Sequence, residues 1–334
     1  MSSPLLMVIV LNCNGMRVIR ECLASLRQST YPNFSIVVSD NASTDGSPGW
    51  VEQHHPDIKV IRNSENLGWS GANNVGIRHA LERGADWIWM LNNDVEVEPD
   101  CIDQMVRFGQ EHPEFAILGP LIHYFEPRDR VWFEGGRTDF ETLVADHCSY
   151  AEFSACPQEE RYISGCAQLV RSDVFRRIGL IDERFFIYFE DTDFCRRAGL
   201  AGFTMDVVRS AKMYHKVSAF SGGIGERSPW KAYYMLRSGL LFWRKHLGWW
   251  AFHRRYCHGH LAKWINDLDR EWSRNEGRAY VQAVLDALWY FVAGRNEPRG
   301  HPACPGWFRK GVLRRPWLVA ELMAFRMKGL LGSR

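Results

Sequence analysis

The chain alternates short, wholly apolar runs with segments whose apolar residues recur every three or four positions. Residues 5–11 are apolar throughout, as a strand buried on both faces would be, and Asn12-Cys13-Asn14-Gly15 ends the run as a turn. Val18, Ile19, Cys22, Leu23 and Leu26 then repeat at helical spacing until Tyr31-Pro32 stops them, and residues 34–39 read as the next strand. Strand, helix and strand in that order predict a right-handed crossover and parallel pairing. Residues 58–62 repeat the strand pattern, and the Gly- and Asn-rich stretch 65–76 reads as a loop entering a helix that ends near Gly84. A strand at 87–91, a helix from Pro99 to about Glu111 and a strand at 115–121 follow; residues 123–160 carry no clear period and are expected to be irregular. Beyond them come a strand at 163–171, a helix at 173–178, a helix from Glu190 to about Ala198, and a strand at 203–209 with Met213-Tyr214-His215 close behind. From Trp230 the pattern is helical, most clearly over 230–246. The expectation is an α/β catalytic domain over residues 1–224, with a mostly parallel central sheet and flanking helices, and a helical region over 225–334 packed on it.

Composition narrows the class. The 334 residues are 46% hydrophobic and 24% charged, a globular balance with material for one large domain or two ordinary ones. The net charge of +2 conceals an asymmetry, because residues 1–224 hold 21 Lys/Arg against 31 Asp/Glu and residues 225–334 hold 20 against 8. Nine of the fourteen tryptophans lie in the basic part. The nine cysteines are scattered without a CxxC pair, which fits reduced thiols in a cytoplasmic protein. No stretch approaches the roughly eighteen consecutive apolar residues of a spanning helix, and neither a signal peptide nor a nucleic-acid partner is expected.

Two places concentrate acids where a core element emerges. The run Trp87-Ile-Trp-Met-Leu91 ends in Asn92-Asn93-Asp94, and an Asp at the carboxyl end of a buried strand can hold a divalent cation against a diphosphate. A lone Asp there is more commonly a turn former. Phe185-Phe-Ile-Tyr-Phe189 runs into Glu190, Asp191 and Asp193, which crowd the first helical turn. The helix dipole alone favours acids there, but three in four positions exceed capping, and mutual repulsion can leave one carboxylate ready to take a proton.

The opening strand, Ser39-Asp40-Asn41-Ala42-Ser43-Thr44-Asp45-Gly46, Asn66-Leu67-Gly68, Asn92-Asn93-Asp94, Ser164-Gly165-Cys166 and Phe189-Glu190-Asp191-Thr192-Asp193 together resemble family 2 glycosyltransferases, more narrowly the bacterial rhamnosyltransferases among them, over residues 5–245. The resemblance implies a GT-A fold and a nucleotide-sugar site. Asp40 with Asn41, Ser43 and Asp45 would contact base and ribose, Asn66 and Gly68 would flank the donor, and Asn12, Asn73, Asn92 and Asn93 complete the donor-binding set. It implies Asp191 as catalytic base, Asp94 and His215 as ligands of Mg²⁺ or Mn²⁺, and Gly165, Glu190 and Asp193 as acceptor-side candidates. The acidic DxD signature of the family stands here as Asn92-Asn93-Asp94, so the metal site carries less negative charge and leans on the donor diphosphate.

The function expected is inverting transfer of a sugar from a nucleoside diphosphate, dTDP-L-rhamnose first and a UDP-hexose or UDP-galactofuranose next, to a hydroxyl of a glycan or polyprenyl-linked acceptor. The rivals are a sugar-phosphate nucleotidyltransferase and a silent nucleotide-sugar binder. The basic, Trp-rich region 225–334 suits a peripheral contact with the inner membrane's cytoplasmic face; packing on the catalytic domain or a homodimer contact is the alternative.

Overall fold

The apolar runs become the middle strands of a nine-stranded sheet. The computed structural model describes residues 3–217, 228–261, 277–293 and 303–314. The chain forms two compact units, one of Met1–Glu183 with Glu190–Ala219 and one of Arg184–Phe189 with Phe220–Arg334. The boundary expected at residue 224 lies outside the described residues.

In chain order the first unit contains β1 (Leu6–Asn12), α1 (Ile19–Leu26), β2 (Phe34–Asp40), α2 (Ser47–His54), β3 (Lys59–Arg62), α3 (Gly68–Glu82), β4 (Trp87–Asn92), β5 (Val95–Val97), α4 (Cys101–Glu111) and β6 (Phe115–Tyr124). It continues with β7 (Val131–Phe133), β8 (Gly136–Asp139), β9 (Val144–His147), α5 (Tyr150–Ala155), β10 (Arg161–Tyr162), β11 (Ala167–Arg171), α6 (Ser172–Ile178), α7 (Glu190–Leu200) and β12 (Thr204–His215). The main sheet runs β3-β2-β1-β4-β11-β6-β12-β5, with β7 beside β6. Its first four strands are parallel, as the strand–helix–strand pattern predicts, and the fully buried Leu6, Val8, Ile9 and Val10 make β1 its core. Beyond β4 the sheet is mixed rather than mostly parallel. β11, preceded by short hairpin strands instead of a crossover helix, enters antiparallel between β4 and β6, and β5 lies antiparallel along β12.

Register sets up a site. Asn12 pairs with Asp40 and Leu11 with Asn92, so β1, β2 and β4 finish at one level, where open α/β sheets take their ligands. β11 starts at that level, the Cys166 carbonyl accepting the Asn92 amide at 3.0 Å.

Two expectations change. The stretch 68–76 is helix, not loop: the carboxamide oxygens of Asn41 and Asn66 accept the Leu67 and Gly68 amides and so satisfy donors at the start of α3. Within α3 a Cβ on Gly76 would sit 2.5 Å from Ile9, so this glycine lets the helix lie close on β1. Residues 123–160 are not irregular either. They finish β6 and supply β7, α5 with a Ser149/Glu152 capping box, and the β8 and β9 strands of a second sheet ordered β10-β8-β9. These strands are too short to show a period, and Gly135-Gly136 interrupts it; a Cβ on Gly136 would lie 2.3 Å from the Tyr162 ring.

The second unit is helical: α8 (Pro229–His246), α9 (Trp249–Ala251) continuing as the π-helical Phe252–Leu261, α10 (Arg278–Val292) and α11 (Gly306–Arg314). Arg237 of α8 donates to the Tyr290 hydroxyl of α10 at 3.1 Å and lies 4.5 Å from its ring. Segment 184–189 belongs to this unit. Ser238 Oγ reaches the Phe185 and Ile187 carbonyls, Arg237 donates to the Arg184 carbonyl at 2.9 Å, and Phe186 stacks on Tyr234. Phe186, Tyr188 and Phe189 have φ of 45°, 66° and 65°, a left-handed backbone that bulky side chains resist and that the surrounding packing must hold. Among the described residues no helix is long and apolar enough to cross a membrane.

Candidate active site

Asn12, the last residue of β1, is the hub at the strand ends. Its Nδ2 lies 2.8 Å from both Asp40 Oδ1 and Ser47 Oγ and 3.2 Å from Ser43 Oγ, and its Oδ1 accepts Asn93 Nδ2 at 2.8 Å. Asp40 also accepts the Ser43 amide, and Asp45 accepts the Met16 and Ser47 amides. Burial raises the Asp45 carboxyl, but hydrogen bonds from Ser47 and Met16 outweigh it and hold the group below the usual range. Asn41 bonds Asn66, Gly68 and Leu67 within the loops, and Asn73 Nδ2 bonds back to the Trp69 carbonyl of its own helix. Asn12, Asp40, Asn41 and Asn73 are all buried. Their side chains shape the loops, while Asp45 and Asn66 are exposed and Ser43 is half-buried at the same level.

Asp94 follows β4 and His215 closes β12. The pairing of His215 with Val95 brings them together, both buried, with Asp94 Oδ1 3.3 Å from His215 Nε2. That is ion-pair distance without a hydrogen bond: Asp94 Oδ1, which faces Nε2, is buried with no hydrogen-bond partner, and so is Nδ1, the other nitrogen of the ring. A carboxylate oxygen and an imidazole nitrogen left facing each other are a donor set for a Mg²⁺- or Mn²⁺-like cation. Among the described residues no group of three or more His, Cys, Asp or Glu forms a metal cluster, so the pair would fill only part of a coordination shell.

Asp191 sits in the first turn of α7. Its Oδ2 accepts the Gly165 amide at 2.8 Å, and its Oδ1 accepts the Thr192 amide at 2.6 Å and hydroxyl at 3.1 Å. A carboxylate offers about four lone-pair positions, so these bonds orient it and leave one open. Gly165 must be glycine for this approach, because a Cβ there would lie 2.9 Å from the Trp69 ring and 3.3 Å from Asp191 Cβ. Glu190 and Asp193 are elsewhere. Glu190 is buried with Oε2 unpartnered, and burial, then the Asp191 charge, push its carboxyl well above the usual range. Asp193 is buried and paired with Arg197 at 3.0 Å. Burial leaves neither of them surface for an acceptor.

Residues 7–179 match the family model for glycosyl transferase family 2. The chain belongs to that family. A Mycobacterium tuberculosis N-acetylglucosaminyl-diphospho-decaprenol L-rhamnosyltransferase is 30% identical over 78% of this chain and 92% of its own length. A dTDP-rhamnosyl transferase, RfbF of Shigella flexneri, is 25% identical over 73% of this chain and 81% of its own. Among solved structures, a Pyrobaculum calidifontis mannosyltransferase in complex with GDP-Man and Mn²⁺ is 16% identical, covers the whole of this chain and 89% of its own, and superposes with a TM-score of 0.54, a likeness of fold. The chain is a glycosyltransferase with the GT-A fold.

For this family 2 glycosyltransferase, the carboxamide at 93 has a local cause. Asn92 Oδ1 accepts the Trp69 indole N–H at 3.0 Å, and Asn93 donates to Asn12, which donates to Asp40. A carboxylate at 93 would set two acceptors face to face, and flipping Asn12 would only move the clash to Asp40.

Other residues here carry no motif. A Cβ on Gly15 would fall 2.1 Å from Asn93 Nδ2 and 2.3 Å from Asn12 Oδ1, so its lack of a side chain makes room for that bond. Lys216, whose amide bonds the Asp94 carbonyl, pairs through its ammonium with Glu21. Trp132 of β7 meets His215 edge-on with centroids 4.4 Å apart, and His147, the last residue of β9, stands 4.9 Å from Trp132. Burial pushes the His147 imidazole below its usual value, against the opposing pull of the Trp132 carbonyl and of Asp191 and Asp146.

Proposed function

We propose that this glycosyltransferase moves a sugar, L-rhamnose from dTDP-L-rhamnose in the first instance, onto a hydroxyl of a lipid-linked glycan with inversion. The carrying observation is the buried, non-hydrogen-bonded pair of Asp94 and His215 at the strand ends, with Asp191 held by Gly165 at the head of β11. In this reading the acceptor oxygen attacks the anomeric carbon, the bond from that carbon to the diphosphate oxygen breaks, and Asp191 takes the hydroxyl proton. Such a base is typically worth about 10²–10⁴ in rate. Asp94 and His215 would hold Mg²⁺ or Mn²⁺, which when bound neutralises charge on the departing diphosphate. The names of the two bacterial relatives support rhamnose, and that of the mycobacterial one supports a polyprenyl-linked acceptor.

The second unit bears on location. Trp230, Trp250 and Trp307 are 42%, 80% and 58% exposed, and Met235 is 40% exposed. Basic Arg244 and Lys245 close α8, and Arg309 and Lys310 lie on α11. Exposed tryptophans among basic residues support docking at the anionic cytoplasmic face, beside a lipid-linked acceptor.

The deciding experiment incubates purified protein and N-acetylglucosaminyl diphospholipid with dTDP-L-rhamnose, UDP-hexoses and UDP-galactofuranose, with and without Mn²⁺. Release of dTDP with a glycosylated lipid is expected, abolished in Asp94→Ala and weakened in His215→Ala. Asp191→Asn should keep donor binding and lose transfer by roughly 10²-fold or more. Pyrophosphate release, metal-independent turnover or an active Asp191→Asn would each overturn the corresponding assignment.

A further inference from the structure

The second sheet brings one imidazole to the neighbourhood of the proposed reaction centre. His147 ends β9 directly across from Gly136, which lies flat against Tyr162. Its ring is walled by aromatic edges, with Trp132 at 4.9 Å and 89° and Phe133 at 5.0 Å and 86°. Its Nδ1 lies 3.1 Å from the Trp132 carbonyl, and a carbonyl can only accept, so Nδ1 carries the proton. In the neutral ring Nε2 is therefore a lone-pair acceptor. The residue as a whole is exposed, while Trp132 and Phe133 flank its ring. The Trp132 ring links the site: it lies 4.9 Å from the His147 ring and 4.4 Å from the His215 ring.

Resting on the transferase reading, we propose that His147 binds the acceptor: Nε2 accepts a hydrogen bond from an acceptor-sugar hydroxyl next to the one that attacks, with Trp132 as the adjoining apolar wall. A locked rotamer and tautomer suit selection among hydroxyls, because an acceptor lacking a donor at that position would leave Nε2 unpaired. The residues expected to contact the nucleotide lie at the ends of β1, β2 and β4 and in the loops that follow, not on β9.

The test compares the parent with His147→Ala and His147→Gln, using N-acetylglucosaminyl diphospholipid and the donor that turns over in the parent. Acceptor KM, donor KM and donor hydrolysis without acceptor are measured separately. His147→Ala should raise acceptor KM on the order of 10-fold, leaving donor KM and hydrolysis unchanged. His147→Gln should recover most of that loss, since its carboxamide oxygen reaches the place of Nε2. An unchanged acceptor KM in His147→Ala would remove the assignment while the transferase reading stands. So would equal losses in donor KM and hydrolysis, which would mark a structural or donor-side residue. A parent that turns over no nucleotide sugar would take both down.

Discussion

Glu190 and Asp191 are adjacent in sequence and differ in every physical respect that matters to a proton. Asp191 accepts three hydrogen bonds at the head of α7, whereas Glu190 is buried with an unpartnered oxygen and a carboxyl pushed well above its usual range, first by burial and then by Asp191. A raised carboxyl keeps its proton in the folded chain and releases it on unfolding. Its contribution to stability is therefore full below the ordinary Glu value and is lost as pH rises toward the folded value. Glu190→Gln keeps the shape and removes the titration. Denaturant midpoints of variant and parent should coincide near about pH 4, and the variant's should be higher at about pH 8. A gap that does not change with pH would mean that Glu190 is ionised in the fold.

At the scale of elements, the turn from Ser164 to Cys166 joins β11 to the strand ends and to α7. Gly165→Ala should cost about 1–3 kcal/mol by overpacking against Trp69 and should displace Asp191 as well. We expect a lower melting temperature, near-normal nucleoside diphosphate binding and transfer reduced at least 10-fold; unaltered transfer would show that this amide does not position the carboxylate. Much of the element layout was legible from the chain. Apolar runs and helical spacing located β1, β2, β4, α8 and the start of α1 to within a residue or two, because buried parallel strands and striped helices leave long, regular patterns; α1 itself stops at Leu26, ahead of the Tyr31-Pro32 stop. Residues 123–160 were not legible, since β7 to β10 are two to four residues long and are defined by their partners. The start of α3 was hidden for another reason, as Gly68, Gly71 and Gly76 read as loop until the closeness of Ile9 and Leu67 is known. Of the site, the acids could be read from their positions. The burial of Glu190 and Asp193 could not, nor could the place of His147, because each depends on contacts distant in sequence.

At the scale of the whole molecule, the charge asymmetry predicts behaviour at a surface. Each basic residue near an anionic leaflet contributes roughly 1 kcal/mol, and that attraction is screened by salt whereas internal packing is not. The full-length protein should sediment with anionic vesicles at low salt, leave them at high salt and ignore neutral ones; remaining in the supernatant throughout would assign the exposed tryptophans to another role. Segment 184–189 has a consequence of its own. The chain enters the helical unit twice, first for six residues just ahead of Glu190 and then for good after residue 219. A chimera that grafts a relative's C-terminal helices onto this sheet would exchange Ser238 and Tyr234 while keeping the carbonyls and the Phe186 ring they were matched to. The transplantable piece is thus discontinuous, and a functional graft must bring its own six-residue stitch into the middle of the recipient's gene.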